Sequence, residues 1–216
     1  MTTLPLFPLG LVSFPEERLN LHIFEPRYKQ LITECHENKS SFGIPPVIDS
    51  KPTTIGTVMK IAEISHIYPD GKMDIKIKGE RKFSINKFYN NASNKLYPQG
   101  DVEFIEDDST TDIMLQTKVI DLIGQLYEVM KMNIDVPVVS NDFTIYSVAH
   151  KIGLNLNQEI DLLNIHSEVE RLEFVEHHLT DFLPVVLEME NLRKRVEMNG
   201  HFQNVIPPDT NNLLSS

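Results

Sequence analysis

Apolar residues change their repeat once along this chain. Up to about Asp108 they mostly alternate with polar ones, as in half-buried strands; from about Asp112 they recur every three or four positions, as on a helix with one buried face. "RLNLHIF" puts Leu19, Leu21 and Ile23 on one face and Asn20 and His22 on the other. "LPLFPL" alternates Leu4 and Leu6 with Pro5 and Phe7 before Pro8; proline brings no N–H to a ladder, so this is a first or edge strand. The strongest local signal is "YPDGKMDIKIKGERKFSI". Asp70-Gly71 suits a tight hairpin turn, after which Met73, Ile75 and Ile77 face one way and Asp74, Lys76 and Lys78 the other. Gly79 marks a bulge or bend before Phe83 and Ile85 resume the pattern. Further strands are read at "FGIPPVI", "IGTVMKIAEISHIY" and "DVEFIE". One short helix interrupts them near 26–37: Pro26 suits its first turn, and Tyr28, Leu31, Ile32 and Cys35 fall at helical spacing.

In the second half Leu115, Val119, Leu122, Leu126 and Met130 form a helical stripe behind an Asp112 cap. A second helix is expected from about Phe143 to Ile152, stopping at Gly153, and a third over "QEIDLLN". A fourth opens with Ser167 and Glu170 at capping-box spacing and carries Val169, Leu172, Val175, Leu179 and Phe182. Pro184 is expected to kink it or start a new helix, which then runs to Gly200. The pattern predicts an α+β chain: a β-rich lobe over 1–108 with one short helix, a helical lobe over 109–202, and a mobile tail over 203–216.

Composition removes several classes. Early prolines and an acidic first charge, Glu16, do not fit a secretory signal, and no stretch reaches ~20 apolar residues, so neither export nor a membrane is expected and the cytoplasm is the default location. One cysteine, Cys35, allows no internal disulfide and no four-cysteine zinc site. A net charge of −11 argues against a nucleic-acid partner, since binding a polyanion rests on Lys and Arg neutralising phosphates.

The chemical motifs are missing too. Neither glycine-rich phosphate loop occurs, and there is no H-E-x-x-H or G-x-S-x-G. Gly79 with Lys78, Arg81 and Lys82 suggests at most a small anion site, and a charged strand edge is the better reading. Glu173 and His177 share a helix face but suit a surface ion pair more than a metal. No enzyme activity and no cofactor are expected.

"LPLFPLGLVSFPEERLNLHIFEPRYKQLI" strongly resembles the start of the Lon protease N-terminal, substrate-binding domain: Leu4 to Pro8, Phe14, Pro15, Leu21 and Ile23 to Tyr28 match its pattern. "FGI", "GT" at Gly56-Thr57 and "DGKMDIKIKGERKFSI" resemble its central strands, and "EVERLEFVEHHL" its first long helix, so the likeness covers about residues 4–200. The chain lacks the ATPase and protease modules of a full Lon enzyme and is similar to a stand-alone domain of that type. The resemblance implies a PUA-like twisted β-barrel followed by a helical bundle. It also implies a non-catalytic module that recognises exposed apolar segments of unfolded or damaged protein, as an adaptor near a protease or chaperone. A small-molecule or nucleotide-like ligand in the PUA-like lobe is the alternative. Phe7, Phe14, Ile23 and Phe24 are expected in the core, with Arg27 paired to a carboxylate. The peptide surface is expected between the lobes, including the exposed side of the last long helix around Pro184 to Val196, where Val185, Val186, Leu187 and Met189 crowd too closely for one buried stripe. A homodimer contact is the rival use of those residues.

Overall fold

A computed structural model describes residues 2–90 and 95–202, with side chains up to Glu197; the expected tail over 203–216 lies outside the described residues. Strands β1 (Thr2–Pro5) and β2 (Arg18–Ile23) precede helix α1 (Pro26–Asn38). Then come β3 (Phe42–Ile44), the small pair β4 (Val47–Ile48) and β5 (Lys51–Pro52), and the long β6 (Ile55–Ile67), β7 (Met73–Tyr89) and β8 (Gln99–Ile105). After β8 the described elements are helical: α2 (Ile113–Val129), two short 3-10 turns at Ile145–Ser147 and Ala149–Lys151, α3 (Leu156–Asn164) and α4 (Glu168–Phe202).

The sheet is organised around the 17-residue β7, which pairs with β6 along one edge over residues 73–84. On the other edge β2 and β8 follow one another: Arg18–Ile23 pair with Met73–Lys78, and Gln99–Ile105 with Lys82–Tyr89. Gly79 lies at the changeover. There the loop before β2 docks on β7: the Gly79 N–H donates to Glu17 O at 2.8 Å, and the Glu16 N–H to Gly79 O at 3.1 Å.

The opening segment joins the two ends of the sheet. Leu6 N–H donates to Pro98 O, beside β8, while the N–H groups of Phe7 and Leu9 donate to Gly43 O and Pro45 O, in and after β3. Neighbouring donors thus serve opposite ends of the sheet, while Pro5 and Pro8 have no N–H to give. The expected twisted β-barrel is corrected in one respect: it does not close. The ladder runs β1-β8-β7-β6-β3 and is open, its ends meeting only at the isolated bridges Leu6–Gly43 and Leu9–Pro46. Pro8, Pro45 and Pro46 lack the donors that a continuous ladder needs.

α1 covers one side of the sheet with the apolar face read from its spacing: Tyr28, Leu31, Ile32 and Cys35 are buried against Met73, Ile75 and Ile77. Phe7, Phe14 and Ile23 are in the core, but Phe24 is 58% exposed, a correction to the reading that buried it. It follows buried Ile23, so strand alternation turns it outward. Arg27 pairs with Glu25 at 2.8 Å on the surface and lies 4.4 Å from the Tyr28 ring centre.

The helical half differs in two places. The helix expected over 143–152 is two 3-10 turns, because Phe143, Ile145, Tyr146, Val148, Ala149 and Ile152 are all buried and no single α-helical stripe contains them. α4, by contrast, runs unbroken across Pro184 for 35 residues. Of three core clusters, one joins the strands to the helices. Val12, Phe14 and Ile55 belong to the cluster built by α2, α3 and α4, and Phe14 stacks on Tyr146 with centroids 5.0 Å apart.

Candidate functional site

Two polar clusters tie the strand half to the helical half. The first is buried where β7, the end of β8 and the start of α4 converge. Lys82 Nζ lies 2.6 Å from Asp107 Oδ1 and donates to Ile165 O at 2.6 Å. Arg171 reaches Asp107 at 3.3 Å, pairs with Glu168 at 2.8 Å and donates to the Tyr146 hydroxyl at 3.0 Å. Glu168 in turn accepts the N–H of Ile145 at 2.7 Å. Burial pulls the Lys82 ammonium below its ordinary value while Asp107 draws it back up, and burial pushes the Glu168 carboxyl up against the pull of Arg171. Two cations and two anions balance here. The anion site suggested around Gly79 does not form: Lys82 is spent in this cluster, Lys78 pairs with Glu16, and Arg81 covers the Phe104 ring at 3.8 Å.

The second cluster spans the cleft between strands and helices, lined in part by Glu17, Arg18, Tyr146, His150 and Lys151. His150 is held by Glu17 at 3.1 Å from the strand side and by Glu159 at 2.7 Å from α3. The hydrogen bond with Glu17 is the main reason its pKa rises from 6.5 to about 9. A raised value means that folding favours the protonated ring. Its contribution is complete below about pH 6.5 and is lost as pH rises through about 9. Since the side chain is 36% exposed, solvent screening reduces the contribution to about 1–2 kcal/mol. Urea denaturation across this range should therefore show wild type losing about that much stability relative to His150→Gln. Equal slopes for the two proteins would remove His150 from the account.

The expected peptide-contact residues lie elsewhere, on α4. Val185, Leu187 and Met189 are exposed; Val186 is 8% exposed and faces the bundle, so it offers no contact surface. They do not line the cleft between strands and helices. Val185 instead closes a groove of about 500 Å³ in the helical half, with half-buried Phe174 and Phe182 on its floor and Gly153, Asn155 and Gln158 opposite. His178 holds the groove wall by bonding Ile152 O at 2.9 Å and stacking on Phe182 at 5.2 Å. Gly153, with φ +79°, leaves room for that ring: a Cβ there would come within 2.4 Å of Phe182 Cε1.

Beyond the groove the apolar surface continues along the helix. Val185, Met189, Leu192 and Val196 are each more than half exposed. Their spacing of four, three and four residues sets them on one face over about 16 Å of helix. Leu192 and Val196 fall within the stretch around Pro184 to Val196 read from sequence, though neither was among the four contact residues named there. A second exposed group also went unread: Phe24 stacks on His22, and Tyr68 meets the edges of His22 and His66, with Ile67 beside them. Among the described residues no three His, Cys, Asp or Glu side chains are grouped to hold a metal, and no helix is long and apolar enough to cross a membrane.

An open sheet capped by one helix, joined to a helical bundle whose last helix exposes an apolar face, defines a mixed α/β binding scaffold. The model of the ATP-dependent protease La (LON) substrate-binding domain family matches residues 3–181, and the chain belongs to that family. The crystal structure of a Lon N-terminal domain protein from Xanthomonas campestris is similar at a TM-score of 0.63 and 27% identity, covering 80% of this chain and 96% of that one. The N-terminal domain of a Mycobacterium avium complex Lon protease is similar in fold at a TM-score of 0.63 and 14% identity, covering 83% of this chain and 99% of that one. No curated protein matches the chain.

Proposed function

We propose that this substrate-binding domain recognises exposed apolar segments of unfolded or damaged protein, without catalysis of its own, as an adaptor delivering them to a protease or chaperone in the cytoplasm. The observation that carries the reading is the apolar surface running from the Phe174–Phe182 groove through Val185 to Met189, Leu192 and Val196. Isolated exposed apolar side chains are common, but a continuous row joined to a groove is the kind of surface on which a partner docks. Methionine adapts to varied apolar partners, which suits a surface that must accept many sequences. The small-molecule or nucleotide-like reading would use the strand lobe, and it comes second because Lys78, Lys82 and Arg81 there are already engaged.

Titrating the protein with a reduced, alkylated polypeptide that cannot fold, and with the native form of the same polypeptide, tests this directly. The unfolded form should bind and the native form should not. Val185→Glu with Met189→Glu should weaken binding by at least about tenfold, because each substitution places a charge where an apolar side chain would be desolvated. Absence of binding to the unfolded form would end the proposal. Unchanged binding by the double variant would move the site off α4. Hydrolysis of ATP or casein that is lost on a point substitution in this chain would overturn the non-catalytic part.

A further inference from the structure

We propose that the exposed face of α4 is the seam of an antiparallel homodimer, in which a second copy of the chain covers the apolar row until a client segment displaces it. The client clause rests on the function proposed above; the pairing itself rests on the helix alone.

Val185, Met189, Leu192 and Val196 follow the alternating four- and three-residue spacing of a two-helix seam. α4 uses its other face, through Leu172, Val175, Leu179 and Val186, to bury itself in the bundle, so the second row has no partner within the chain among the described residues. From Leu187 to Val196 nearly every residue is exposed, and the helix projects past the bundle where another copy has access.

Charge selects both the occupant and its direction. Among the described residues Arg193 is paired within its own helix, with Glu190 at 3.5 Å and Glu197 at 3.1 Å, which leaves Glu188 and Arg195 unpaired on one flank of the row. In an antiparallel pair centred between Met189 and Leu192, each Met189 meets Leu192 of the second copy and each Val185 meets Val196. The same register sets Glu188 against Arg195 of the second copy, twice by symmetry. A parallel pair would instead set Glu188 against Arg193, which already has two partners. The row is therefore self-complementary in one orientation.

Three turns of paired helix cover less than the ~1,200 Å² of a standard stable interface, so the dimer is a transient one, with a dissociation constant on the order of tens of micromolar. Pairing of that strength shields the apolar row in the absence of a client and yields to an unfolded chain that offers more contact.

Sedimentation velocity from low micromolar to near-millimolar protein is the test. Wild type should pass from monomer to dimer. Met189→Glu should raise the dissociation constant at least about tenfold. Glu188→Arg and Arg195→Glu should each weaken the dimer, and the double reversal should restore it. All these positions are exposed, and circular dichroism of each variant checks that its fold is intact. Wild type that stays monomeric at every concentration overturns the pairing, and a double reversal that fails to restore the dimer overturns the antiparallel register. Adding the alkylated unfolded polypeptide should convert dimer to monomer–client complex. A dimer that forms normally while no client binds leaves the pairing standing and removes the client function; client binding by a strictly monomeric protein does the reverse.

Discussion

Replacing Lys82 with methionine is expected to cost the fold about 3 kcal/mol. Methionine keeps most of the apolar stem, so the loss reports the charge rather than a cavity. The Lys82 side chain is fully buried, and its ammonium is shared between Asp107 and Ile165 O. Without it Asp107 keeps Arg171, at 3.3 Å, and a long hydrogen bond from the Tyr146 hydroxyl, at 3.5 Å, and the cluster carries an excess negative charge in a poorly solvated place. Asp107→Asn should be similarly costly, because it leaves the buried ammonium short of its anion. The double variant Lys82→Met, Asp107→Asn should lose clearly less than the sum of the two, as coupled partners do. Urea denaturation of the four proteins measures this cycle. Additive losses, or a Lys82→Met loss under about 0.5 kcal/mol, would mean that the cluster does not clamp the strands to α4.

Gly79→Ala should cost about as much, for a steric reason. A Cβ at this position would stand 2.2 Å from the Phe14 carbonyl oxygen and 3.2 Å from the Pro15 Cα, both backbone atoms. The loop cannot retreat cheaply, since it is hydrogen-bonded to Gly79 through both Glu16 and Glu17. It also carries Phe14, stacked on Tyr146, and Glu17, paired with His150, so any retreat loosens the strand–helix contact too. Two backbone hydrogen bonds and the repacking of a buried phenylalanine together come to about 3–4 kcal/mol, or roughly ten degrees in melting temperature. Gly10→Ala is the control: nothing lies within 4 Å of a Cβ there, and its melting temperature should stay close to wild type. A Gly79→Ala protein that melts with the control would show that the loop is free to move.

Local pattern settled much of this protein. The two-residue repeat of Met73, Ile75 and Ile77, the Asp70-Gly71 turn and the spacing of Tyr28, Leu31, Ile32 and Cys35 identified their elements, because in each one face is buried and the other wet. The opening motif identified the family, and Leu4, Leu6, Phe7, Phe14, Ile23 and Tyr28 of that motif are in the core. Tertiary structure decided the rest. No local rule states that β2 and β8 share one edge of β7, that Gly79 receives the Phe14 loop, or that Lys82 is the buried partner of Asp107, since these join residues distant in sequence. Phe24 was legible by the same local rule: the alternation that puts Leu19, Leu21 and Ile23 on one face turns the residue after Ile23 outward, and its place in the motif hid this. The candidate surface was half legible for a related reason. The density of apolar residues after Pro184 required some to face outward, but that Val186 turns inward while Val185 and Met189 stay exposed depends on where the bundle ends. Only the packing of α2 and α3 against α4 sets that limit.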